Sequence, residues 1–183
     1  MYSVSGNHPL RRWFTSLVEG SFQQEVGLCD PSVLDYLSGL LTEFIHVGRI
    51  NFLADGSGRR VEDVAEMLGE SEIGPCAARD DLRRAVHRHI GDFTLFWTGV
   101  YPENLKRLRR RGGRDGLLSY LEQGKRSYAI ASRIGGEDAD PPAGLLSTLS
   151  DQFEYCVYGL GLVRKEWERS DPTSFAALGL VWD

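Results

Sequence analysis

Apolar residues recur along this chain at three- and four-residue intervals, the period of helices that bury one stripe. Leu10, Trp13, Phe14, Leu17, Val18 and Phe22 form the first stripe, opened by Asn7-His8-Pro9 and closed near Gly27. Proline at the first turn suits a helix start, because its missing N–H has no partner there anyway. Asp30-Pro31 is a second start of the same kind. Val33, Leu37, Leu40, Leu41 and Phe44 follow it, and Gly48 closes the segment. Arg49 to Gly58, with its Asp-Gly-Ser-Gly, reads as a loop, and Val61, Val64, Met67 and Leu68 as a short helix.

Beyond Gly74-Pro75, a long helix is predicted from about Ala77 to Gly99, with Val86, Ile90, Phe93, Phe96 and Trp97 inward. Tyr101-Pro102 stops it, and a brief basic helix runs on to Gly112-Gly113. Leu117, Leu118, Leu121, Tyr128 and Ala131 mark the next helix, which stops at Gly135-Gly136. The stretch GGEDADPPAG is a loop by composition. From Asp140-Pro141 one last continuous helix is predicted, with Leu145, Leu146, Leu149, Phe153, Cys156, Val157, Leu160 and Val163 inward. The tail 172–183, PTSFAALGLVWD, is apolar enough to dock on this chain or on a partner. Alternating strand patterns are almost absent. The expectation is a single all-α domain over 1–183, a bundle of roughly seven helices with antiparallel neighbours.

Composition narrows the function classes. A length of 183 residues suits one core, and 42% hydrophobic with 26% charged residues is ordinary for a globular chain. A net charge of −5 argues against a general nucleic-acid-binding role. The basic run Lys106, Arg107, Arg109, Arg110, Arg111 and Arg114 reads as a solvated helix end, where cations complement the dipole. With no leader-like start and no apolar run of about 18 residues, a cytoplasmic protein without a membrane span is expected. Cys29, Cys76 and Cys156 are widely spaced, with no CxxC pair, and read as reduced, mostly buried thiols.

The candidate chemistry centres on Val86 to Glu103, VHRHIGDFTLFWTGVYPE. His89 and Asp92 fall on or beside its buried stripe, where polar groups are costly unless paired. Glu43 and His46 share the same three-residue spacing, so each pair can reach one point. E-x-x-H is half of the di-iron pattern of ferritin-like bundles, which needs two such pairs and two more glutamates. Glu19, Glu25 and Glu154 stand on other helices and could add oxygen ligands. Glu43, His46, His89 and Asp92 are therefore candidate ligands for iron, manganese or zinc. The competing expectation is a structural polar cluster of His89, Asp92, Tyr101 and Glu103 that fixes helix register. His87, among Arg83, Arg84 and Arg88, is expected at the surface. Phe93, Phe96, Trp97, Tyr101, Tyr120, Tyr128, Phe153, Tyr155 and Tyr158 should be mostly core, with the option of lining a cavity. Gly91, Gly99, Gly124, Gly159 and Gly161 suggest close helix approach. No nucleophile elbow, HExxH or phosphate-cradling loop occurs.

The segment GDFTLFWTGVYPE at Gly91 to Glu103, followed by YLEQGKRSYAIAS at Tyr120 to Ser132, resembles a pattern of uncharacterised bacterial all-helical proteins. The resemblance implies that Asp92, Tyr101, Pro102, Glu103 and Gly124 belong to one recurring structural unit, and it carries no activity. From the residues alone, the leading expectation is a helical interaction or assembly protein, homo-oligomeric or bound to a protein partner. The alternatives are a metal-binding enzyme and a small-molecule carrier or sensor with an aromatic-lined cavity. Whether the chain is an enzyme is left open at this point.

Overall fold

The starts and stops written in the sequence set the helices. The computed structural model describes residues 8–46, 64, 67–69, 78–103, 116–134 and 138–171, without the side chains of 46 and 116–119. Helix α1 spans Pro9–Ser21; His8 caps it by accepting the Leu10 N–H at 3.3 Å. A π-helical turn, Phe22–Val26, extends it, and Gly27 leaves in the left-handed region at φ 74°. Helix α2, Pro31–His46, opens with the Asp30 carboxylate accepting the Ser32 N–H at 2.9 Å. Helix α3, Asp80–Val100, carries Asp80 and Asp81 in its first turn, where carboxylates complement the helix dipole. Helix α4 spans Gly116–Ile134, α5 Ala143–Asp151 and α6 Phe153–Ser170. The fold is an all-α bundle, with no strand among the described residues.

Helix α3 is its axis. It packs on α2, α4 and α6, while α1 closes against α2 and α6 and α5 against α2, α4 and α6. Every residue from His89 to Val100 is buried, so the apolar stripe widens to the whole helix circumference. Two threonines survive there because each hydroxyl finds a carbonyl of its own helix: Thr94 donates to Ile90 at 2.7 Å and Thr98 to Thr94 at 2.6 Å. Two glycines let neighbours in. A Cβ on Gly91 would lie 2.6 Å from the Tyr128 ring, and one on Gly99 would lie 2.7 Å from Leu160. The close-approach reading of these glycines therefore fits.

Several expectations are corrected. His87 is buried at 3% exposure, because a helix enclosed by neighbours has little solvent face left for it. The last helix breaks at Gln152 (φ −108°, ψ 21°) into α5 and α6 rather than running through. Of the aromatics expected to be mostly core, Phe93, Phe96, Trp97, Tyr101, Tyr128 and Phe153 are buried, and Tyr155 and Tyr158 stand outside at 62% and 56% exposure. Cys29 is exposed whereas Cys156 is buried. The loop after Gly48, Cys76, the basic run 106–114 and the tail 172–183 lie outside the described residues. No helix among the described residues is long and apolar enough to cross a membrane.

Candidate functional site

Asp92 sits one turn after Arg88 on α3, and two other helices converge on its carboxylate. Tyr36 of α2 donates its hydroxyl to Asp92 Oδ1 at 2.5 Å, and Tyr128 of α4 donates to the same oxygen at 2.7 Å. Arg88 Nε lies 3.8 Å from Oδ2, beyond hydrogen-bond range but close enough for ionic attraction. The Arg88 and Asp92 side chains are only 12% and 9% exposed. A buried carboxylate needs such partners: hydroxyl donors come from α2 and α4, and a guanidinium charge from its own helix, α3.

The electrostatics follow. Burial first, and then the Asp92 charge, push the Tyr36 hydroxyl well above its usual pKa, with Arg88 opposing. Burial and Asp92 do the same to Tyr128. Both phenols are therefore fixed donors rather than bases. For Arg88, burial favours loss of the charge, but Asp92, Tyr36 and Glu43 outweigh it and hold the guanidinium protonated.

This cluster forms one wall of a pocket of about 200 Å³ between α1, α2, α3 and the loop before α5. Helix α2 contributes Asp35, Tyr36, Gly39, Leu40, Glu43 and Phe44, a face at three-and-four spacing. Arg11 of α1 crosses the Gly39 backbone, where any Cβ would collide with its guanidinium. It reaches Asp35, donating to the backbone carbonyl at 2.7 Å and to Oδ1 at 2.5 Å. Asp140 and Pro141 close the remaining side, held by Arg84, which donates to both carbonyls.

Glu43 and Asp92 line the pocket together. His89 lies against Phe44 and Phe93, with ring centroids at 6.3 Å from each. The side chain of His46 lies outside the described residues. Among the described residues no three His, Cys, Asp or Glu side chains gather as a metal would need. Glu19, Glu25 and Glu154 are exposed, which corrects their expected role as inward ligands; Glu154 pairs with Lys125 at 2.8 Å instead.

The structural cluster divides in two. Nine residues, about 13 Å of helix, separate Asp92 from Tyr101. At the far end the Arg164 guanidinium lies 5.8 Å from the Tyr101 ring centroid and donates to Glu103 at 2.7 Å and Glu168 at 2.9 Å. Burial pushes the Tyr101 hydroxyl up to about 12. Cys156 is likewise pushed up to about 12 by burial, which leaves its thiol a poor nucleophile.

Arg11, Tyr36, Gly39 and Arg88 are pocket residues that the sequence reading did not single out. Two signals point to three of them, the Tyr36, Gly39, Leu40, Glu43 spacing and Arg88 four residues before Asp92; none points to Arg11. Comparison with protein-family models, curated proteins and solved structures finds no match to this chain, so its site is read from its own geometry.

Proposed function

We propose that this protein binds a small polar molecule in the pocket between α1, α2 and α3, with Arg88 as the anchor. One observation carries the reading. Arg88 lines the pocket, its Nε is buried, and that N–H makes no hydrogen bond. A buried donor without an acceptor costs about 1–3 kcal/mol, more when the group is charged, and such groups ask for an explanation. The Arg88 side chain is still 12% exposed at the pocket, and a ligand acceptor that draws it toward the cavity would supply one. The pocket is smaller than those of drug-sized ligands, which suits a compact metabolite. Its walls mix charged side chains with Leu40, Phe44 and Pro141, and Tyr36 and Phe44 give it two aromatic members, which supports the carrier-or-sensor reading.

Calorimetric titration with a panel of small polar metabolites tests this. Binding by the native chain is expected, with at least a tenfold loss in Arg88→Met and no loss in the distant Lys125→Met. Equal affinity in Arg88→Met, or no binding across the panel, would overturn the proposal.

The exposed pair Tyr155 and Tyr158, one turn apart on α6, favours protein interaction as a second reading. Light scattering bears on it: a monomer at all concentrations counts against self-assembly.

A further inference from the structure

Resting on the interaction reading of Tyr155 and Tyr158, and independent of the pocket, the exposed stripe of α6 narrows the class of partner. Asp151, Tyr155, Tyr158, Leu162, Lys165 and Arg169 recur at alternating intervals of four and three, the spacing of a seam that meets another helix. At 3.6 residues per turn they fall within an arc of about 80°. Leu162 is half-buried and the other five are exposed. The break at Gln152 keeps Asp151 about one turn ahead of Tyr155, because helical hydrogen bonds run through it. The Gln152 N–H donates to Thr148 at 2.9 Å and the Cys156 N–H to Gln152 at 3.0 Å.

Charge is distributed unevenly along this stripe. Its start carries Asp151 and Glu154, with Lys125 paired to Glu154 at 2.8 Å. Its finish carries Lys165 and Arg169, with Glu166 paired to Arg169 at 2.7 Å. The described charges therefore leave the start net acidic and the finish net basic. Such a surface is complementary to itself turned end for end. Centred on the level of Leu160, antiparallel pairing of two copies sets Asp151 opposite Arg169, Tyr155 opposite Lys165 and Tyr158 opposite Leu162. Each contact then occurs twice, as a two-fold axis requires. The Tyr155 ring meets the Lys165 ammonium of the second copy, a cation–π arrangement. Parallel pairing would instead set Asp151 on Asp151 and Lys165 on Lys165, and like charges select against it. We infer that α6 is a self-association face, on which a second copy of this chain docks antiparallel.

A single helix seam is at the small end of specific interfaces, so the dimer is expected to dissociate in the micromolar range. Sedimentation equilibrium over a micromolar-to-millimolar series of the full chain reads it. Tyr158→Lys, at an exposed position, should keep the helical circular dichroism and weaken the dimer about tenfold or more. Arg169→Glu sets acid on acid and Asp151→Arg sets base on base, so each should weaken it about fivefold. Combining the two substitutions restores opposite charges and should return the affinity to within about twofold of the native chain. Losses in both single variants without recovery in the double would overturn the antiparallel register. A dimer unchanged in Tyr158→Lys would overturn this face while leaving self-association in place. A monomer throughout, the result if another segment of this chain or a different protein covers the stripe, would overturn the second copy as its occupant.

Discussion

A single carboxylate oxygen, Oδ1 of Asp92, receives two phenolic hydrogen bonds from different helices. The two donors are not equivalent. Tyr128 is fully buried, whereas Tyr36 reaches the pocket and is only part-buried. Removing the Tyr128 hydroxyl leaves the carboxylate one donor short where water has no access, and the expected cost of Tyr128→Phe is about 1–3 kcal/mol. Tyr36→Phe should cost less, since water from the pocket can replace the lost donor. Urea unfolding of both variants and of the double variant gives the comparison. A larger loss in Tyr36→Phe would contradict this account. In the sequence, Asp92 stood out because a carboxylate beside an apolar stripe demands partners. Which partners it takes was not legible, since Tyr36 and Tyr128 lie 56 and 36 residues away and pairing at that range depends on helix packing.

Helix starts were the most legible elements. Proline at the first turn of α1 and Asp30-Pro31 before α2 act locally, through dihedral restriction and capping, and need no tertiary context. Gly27 was legible for the same reason, its left-handed φ being the one that glycine tolerates. The outer side of α3 was not legible. Periodicity marks which face is most apolar, but enclosure on all sides is a property of the neighbours, and so His87 was misread as exposed. Helices α3 and α4 face each other where Gly91 meets Tyr128 and Gly124 meets Thr94. That contact sets an element-scale expectation with a sign opposite to propensity. Alanine is the better helix former by about 1 kcal/mol. Gly91→Ala should nonetheless destabilise by about 1–3 kcal/mol, because its methyl group falls within 2.6 Å of the Tyr128 ring, in a core that resists overpacking. A thermal midpoint at or above that of the native chain would show that α3 and α4 are less tightly apposed.

At the scale of the whole molecule, protons held by buried acids tie the bundle to pH. Tyr36 on α2 and Tyr128 on α4 are pushed well above their usual range by burial and then by Asp92. Tyr101, just past α3, and Cys156 on α6 are each raised to about 12, chiefly by burial. In an unfolded chain the thiol ionises near about 8.5 and the phenols near about 10. The folded chain thus keeps protons that the unfolded chain releases. Their stabilisation is complete below the unfolded values and is lost as pH rises through the folded ones, with a slope of up to about 1.4 kcal/mol per pH unit for each group. The loss should begin at about pH 8.5 with the thiol and steepen above about pH 10 as the three phenols join. Urea midpoints measured across that range would trace the decline. The phenolate absorbance difference between the native chain and Tyr128→Phe isolates one hydroxyl, and it should appear only together with the loss of helical circular dichroism. A Tyr128 phenolate forming while the helices are still intact would mean that water and hydroxide reach the Tyr128 side of Asp92, between α3 and α4.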